Sequence, residues 1–136
     1  MSSASWALQA AMFTALSADA NIKSVLGDPP RVYDEVPRNA AMPYLVIGDG
    51  KESDWSTSTD TGTEHALVLH VWSRARGRKE SKAVAATVRA ALDDAALTLA
   101  GHTLIGIKHQ SSEYLRQTYG QTYHAVMKFR AVTEPT

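Results

Sequence analysis

EHALVLHVWS, residues 64 to 73, is the stretch that decides the architecture. Successive side chains of an extended chain point to opposite faces. Leu67, Leu69 and Val71 therefore share one face, and Ala66, Val68, His70 and Trp72 share the other. This alternation predicts a long strand from Glu64 to Ser73 with an apolar face turned to a core.

Working outward toward the C-terminus, Arg74 to Arg78 is a basic connector containing Gly77. The pattern then changes period. Val84, Val88, Ala91, Leu92 and Ala95 recur at helical spacing, which predicts a helix over 79–96. Arg89 and Asp93, four residues apart, are spaced to pair on its surface. Ala83, Ala86 and Ala90 make a smooth flank that permits close approach of another element. Thr103 to Gln110, extending toward Tyr114, reads as a strand. Gln121 to Thr133 reads as another, with Tyr123, Ala125, Met127, Phe129 and Ala131 alternating against His124, Val126, Lys128, Arg130 and Val132. A turn near Tyr119-Gly120 should join these two as a hairpin.

Working back toward the N-terminus, Gly48 to Thr63 is rich in Ser, Thr, Asp and Gly and reads as a long polar loop. Before it, Tyr44 to Gly48 is a β run whose Leu45-Val46-Ile47 centre is apolar on both faces. Arg31 to Asp34 is a short strand closed by Pro37. Asp28-Pro29-Pro30 is a stiff connector, and Asp19 to Gly27 is a short turn or helix with Gly27 as its stop. Ser5 to Ala18 reads as a helix with Ser5 as N-cap. Its stripe of Leu8, Ala11, Met12, Ala15 and Leu16 should face the core. Trp6 and Phe13, seven residues apart, lie together on roughly the opposite side. Two readings stay open for that second apolar face: contact with the rest of the same chain, or a subunit interface. The order of elements predicts one α+β domain over residues 1–136, with two main helices on a mainly antiparallel sheet of about four to five strands.

Composition narrows the functional classes. The chain has 136 residues, 44% hydrophobic and 21% charged, as expected of one folded domain rather than a disordered chain. Its 14 basic and 14 acidic residues cancel, so the basic excess that counterion displacement from nucleic acid demands is missing. Near-zero net charge leaves a protein poorly protected against self-association. With no cysteine, disulfides, thiolate metal sites and cysteine nucleophiles are excluded. No apolar run reaches the roughly 18–20 residues that span a bilayer. Ser2 to Ser17 lacks both the basic start and the apolar core of a secretory signal.

The motifs of catalysis are missing. There is no Gly-x-Ser-x-Gly elbow. No phosphate-cradling Gly-x-x-x-x-Gly-Lys-Ser/Thr occurs, and Gly48-Asp49-Gly50 is followed by no third glycine. His65, His70, His102, His109 and His124 form no His-x-x-x-His or His-x-His pair. They read as surface or half-buried strand residues. Asp54, Ser56, Ser58 and Asp60 alternate as calcium ligands do, but the central glycine and terminal bidentate Glu are missing, so a solvated loop is expected. Arg74, Arg76, Arg78, Lys79 and Lys82 form the only basic cluster. Acidic partners or nucleic acid could meet it there, but with Glu80 inside it and no interleaved aromatics, a solvated helix start is the favoured reading. No catalytic residue, cofactor or metal is expected.

Several stretches taken in order resemble a known family. Val32-Tyr33-Asp34-Glu35-Val36-Pro37 followed by Pro43-Tyr44-Leu45-Val46-Ile47-Gly48 is similar to the opening of phage tail terminator or tail completion proteins, which also occur in prophages and gene transfer agents. Asp54-Trp55-Ser56-Thr57, Glu64-His65, His70-Val71-Trp72-Ser73-Arg74 and Gly77 continue the likeness. Gly120-x-Thr122-x-His124 and Phe129-Arg130-Ala131 close it, so that it spans Leu8 to Glu134. One departure is the turn Gln117-Thr118-Tyr119-Gly120, where the family usually carries an acidic residue.

What the resemblance implies is a structural virion protein and no enzyme. Tail terminators of the lambda type form a hexameric ring that caps the tail tube, ends its polymerisation and provides the head-tail joining surface. The implied partners are copies of the chain, the major tail tube protein and a head-tail connector or closure protein. DNA passes through the bore without sequence-specific binding. The implied location is the virion, after assembly in the bacterial host cytoplasm. Another neck component, such as a head-closure or connector protein, is the alternative. Within this picture the loop from Gly50 to Gly62 is expected to touch the tail tube, with Trp55 as apolar anchor beside Lys51, Asp54 and Asp60. Trp55 folding back on its own chain is the competing expectation. Trp6, Phe13, Ala86 and Ala90 are expected between subunits.

Overall fold

The computed structural model describes residues 3–117 and 121–136. In chain order the elements are α1 (Ala4–Ala18), α2 (Ala20–Leu26), β1 (Val32–Tyr33), β2 (Tyr44–Asp54), β3 (Thr63–Ser73), α3 (Lys79–Leu92), β4 (Thr98–Leu99), β5 (His102–Arg116) and β6 (Tyr123–Pro135). Among the described residues the strands form one sheet in the order β1-β2-β3-β6-β5-β4. Only the β1–β2 pair is parallel; the others are antiparallel. The α+β class is as expected. The expected four to five strands are six, the addition being the two-residue β4.

Alternation decides which face is packed. Register pairs Leu69 with Met127, Val71 with Ala125 and Leu67 with Phe129, which puts the odd positions of β3 and β6 on one face. There Leu69, Val71, Ala125, Met127, Phe129 and Ala131 lose all exposure beneath Leu8, Met12 and Leu16 of α1 and Val84, Val88 and Leu92 of α3. Burying each of these side chains larger than alanine contributes about 1.5–3 kcal/mol relative to leaving it in water. On the opposite face of β3, Ala66 is exposed and Val68, His70 and Trp72 are half-buried.

Three local readings shift for identifiable reasons. The cap of α1 is Ser3, not Ser5: its hydroxyl accepts from the Trp6 N–H at 3.1 Å. The third helix stops at Leu92, not Ala96. Asp93 turns to extended backbone and Asp94 to φ +59°, and the Asp93 carboxylate accepts the His109 N–H at 2.9 Å rather than pairing with Arg89. The polar stretch after Gly48 is not all loop. After a bulge between Ile47 and Gly50, β2 resumes, and Gly50 to Asp54 pair with Leu67 to Thr63. The free loop shrinks to residues 55–62. In the β5–β6 hairpin the Gln117 N–H donates to the Thr122 carbonyl at 2.8 Å. The turn expected near Tyr119-Gly120 lies outside the described residues.

Candidate assembly surfaces

The outward side of α1 is built from a helix that carries no charged residue in fifteen. Trp6 is 56% exposed and Phe13 47%. Together with Gln9, Ala10, Thr14, Asp34 and Ile47 they line a mainly apolar cavity of about 330 Å³. The two aromatics thus share one surface, as their spacing predicts. Ala86 and Ala90 are exposed elsewhere, in a polar groove of about 340 Å³ between α2 and α3 with Asp19, Asn21, Ser24, Thr87 and Ala91. The four residues expected between subunits therefore form two separate surfaces.

The loop at residues 55–62 is held by its own polar groups. The Trp55 N–H donates to the Gly62 carbonyl at 2.9 Å, and the Thr57 N–H to the Asp60 carbonyl at 2.7 Å. The Ser56 hydroxyl and N–H both donate to Asp54 Oδ1, at 2.6 and 3.1 Å. These bonds hold the Asp54 carboxyl below its ordinary range. Trp55 lies against Gly62, where a Cβ would come within 3.2 Å of Trp55 Cε3. The indole still leaves 48% of its surface open. It lines a cavity of about 250 Å³ with Asp60, Gly62, Ile105, Val132 and Glu134, which Asp54 and Lys51 do not line. Ile105 is 52% exposed because it is the extra residue at a bulge between Leu104 and Gly106. Sequence reading missed it: strand alternation does not reveal a bulge.

The histidines do not behave alike. His65 is fully buried and shares a hydrogen bond of 2.9 Å with the Thr133 hydroxyl; burial lowers its pKa. His109 sits over the edge of Phe129 and bonds to Ser112 at 2.7 Å. On the open face His70 Nδ1 lies 2.7 Å from His124 Nε2, so one ring donates and the other accepts. The His124 ring stacks on Trp72 with centroids 3.9 Å apart and planes 8° from parallel. Burial first, then the neighbouring His70, lowers the His124 pKa. Gly48 makes room for this cluster, because a Cβ there would meet the His70 ring at 2.7 Å. Shared parity of His70 and Trp72 was legible in the sequence; their meeting with His124 depends on strand register. Among the described residues no group of three His, Asp or Glu is placed to hold a metal ion. Among the same residues no helix is long and apolar enough to cross a membrane.

A small two-layer subunit that holds large aromatics out on a helix and on a loop, with its core filled beneath them, has the build of an assembly protein. Residues 10–134 match the family model of tail completion protein gp17, and the chain belongs to that family. It is therefore a structural protein of a virion, located in the tail or neck of a phage or gene transfer agent particle. Tail completion protein gp17 of Bacillus phage SPP1 is 30% identical over 88 residues, which are 65% of this chain and 65% of that protein. The match thus spans just under two thirds of that relative's length. A chain in the virion of a native gene transfer agent (GTA) particle superposes with a TM-score of 0.89 at 32% identity, covering 98% of this chain and 99% of its own. The structure of bacteriophage SPP1 gp17 protein gives 0.61 at 24% identity over 94% of this chain and 89% of its own, a likeness of fold.

Proposed function

We propose that copies of this chain close into a ring, six as in the lambda-type terminators it resembles, that seats on the end of the tail tube and stops its growth. The ring acts by contact alone. A terminator needs a closed cyclic contact between subunits and a different, axial contact to the tube. It leaves a joining surface for a head-tail connector and a bore through which DNA passes. Membership in a tail completion family supports this reading over that of a head-closure protein.

The observation that carries the cyclic contact is the uncharged outer side of α1 with Trp6 and Phe13 held in solvent. Each is the kind of residue that dominates an interface, where truncation costs about 2 kcal/mol or more. The alanines at 86 and 90 offer a second, smoother place for a neighbour. Sedimentation of Trp6→Asp tests the reading. The variant should keep its fold and lose its oligomer; an unchanged assembly state would defeat the assignment.

The axial contact is assigned to the loop at residues 55–62, with Trp55 as anchor and Asp54, Asp60 and Lys51 as its polar surroundings. Trp55→Ala should leave the ring intact and prevent it from capping tubes, read as overlong tails in electron micrographs. Tails of native length at normal yield would count against the loop.

A further inference from the structure

The 14 basic and 14 acidic residues cancel in sum but not in place. At one end of the sheet β2 stops at Asp54, β3 starts at Thr63 and β6 reaches Pro135. Glu52, Asp54, Asp60, Glu64 and Glu134 gather there and outnumber the cations Lys51 and Arg130, the second of which pairs with Glu64. At the other end β3 stops at Ser73 and β5 at Arg116, beside Tyr123 of β6. Two segments distant in sequence then supply one site: Arg74, Arg76 and Arg116 line a cavity of about 240 Å³ with Gln121 and Tyr123. The Arg78 guanidinium lies 5.6 Å from the centroid of the Tyr123 ring, on the same side of the molecule. Among the described residues no carboxylate lines the cavity: Glu80 takes its bond from the Ser73 hydroxyl at 2.7 Å, and Glu113, three residues before Arg116 on β5, belongs to the opposite face of that strand. Among the described residues Arg74, Arg76 and Arg116 form no salt bridge.

We propose that this basic cavity docks a carboxylate-bearing segment of the neighbouring neck protein, on the end of the subunit opposite the tube-facing loop. The proposal rests on the reading above, which assigns the acidic end to the tube. Guanidinium groups grip carboxylates through paired N–H donors, and three in one concavity suit a short acidic segment. Duplex DNA is disfavoured, because a neutral chain with an acidic far end gains little from phosphate neutralisation. Another copy is disfavoured because docking its acidic end here would rebuild the open rim that a terminator closes.

The test combines binding and assembly with the intact chain and the variant Arg74→Gln/Arg76→Gln/Arg116→Gln. All three side chains are exposed, so the variant should unfold at the wild-type midpoint. A fluorescein-labelled deca-glutamate peptide should bind the wild type in low salt, and the variant about tenfold more weakly or worse. In particles, the variant should give tails of native length that carry the ring but remain unjoined to heads. Joined particles at wild-type yield would overturn the proposal while leaving the capping reading intact. Overlong tails would overturn it by assigning the basic end to the tube. Tighter binding of a short duplex DNA than of the peptide, lost in the variant, would assign the cavity to nucleic acid. Stacking of purified wild-type rings in low salt that the variant abolishes would assign it to another copy. Sedimentation of the wild-type sample reports separately whether a ring forms.

Discussion

The two sides of α1 are both apolar, yet they meet different surroundings. Leu8, Met12 and Leu16 are fully buried against the sheet, while Trp6 and Phe13 stand half in solvent over a shallow cavity. Folding of the single chain uses the first stripe completely. The second contributes little to it, so the free energy of removing that surface from water, about 25 cal/mol per Å², is left for association. The same division runs through the sheet, whose inner face is filled and whose outer face ends in a stack of buried His124 with half-buried His70 and Trp72.

The largest effect should come from the inner stripe. Met12→Ala leaves a cavity under the sheet and should cost about 2–5 kcal/mol in chemical denaturation of the monomer. A loss below about 1 kcal/mol would mean that the inner side is no better packed than the outer, and the contrast would fail. Phe13→Ala should change monomer stability by about 0.5 kcal/mol or less. Its cost should appear in assembly instead, at about 2 kcal/mol, or roughly thirtyfold in the association constant. Sedimentation across a dilution series reads that difference. Equal losses in both measurements would mean that Phe13 serves the core.

Acidification separates the two faces of the sheet in another way. Folding lowers the proton affinity of His65 on the inner face and His124 on the outer. Between the lowered folded pKa and the ordinary value of 6.5, the unfolded chain binds more protons. The stability tied to neutral His124 is therefore complete above 6.5 and is lost as pH falls below it. Denaturation midpoints at neutral and mildly acidic pH should diverge, and His124→Gln should reduce the divergence by removing its share. A variant with the full wild-type pH slope would assign the dependence to His65 and His109, whose pKa values burial also lowers.

How much of this was legible in the sequence follows from how local each cause is. β3, β6 and α3 announce themselves because burial imposes a period that a single strand or helix must carry. That Trp6 and Phe13 share a side off the core stripe was readable for the same reason; whether they and Trp55 would stay in solvent or fold back on the chain was not, because that depends on what packs beside them. The second half of β2 was not readable. Gly50 to Asp54 are polar and exposed on both sides, and only pairing with Leu67 to Thr63 makes them a strand. The end of α3 was hidden likewise, because the group that receives Asp93 is an N–H of β5, sixteen residues on. Ile105, the His70–His124 contact and the convergence of Arg116 on Arg74 and Arg76 all depend on register, which alternation alone does not set.

The smallest effect is the most exacting test of the open face. Glu64 and Arg130 meet there across β3 and β6 at 2.6 Å, with 37% and 39% of their side chains exposed. A short distance does not make this pair strong: water solvates both ions in the unfolded chain and still reaches them in the folded one. Glu64→Gln should therefore cost the monomer about 0.5 kcal/mol or less. If a neighbouring subunit covers this face in the assembled particle, the same substitution acts on an ion pair cut off from solvent. Leaving Arg130 unpaired there would cost about 3 kcal/mol or more. Comparing Glu64→Gln in dilute monomer and in the assembled state thus turns a weak surface pair into a probe of what lies over it. An equally small cost in both would mean that the outer face stays wet throughout, with the subunit contact confined to the helices.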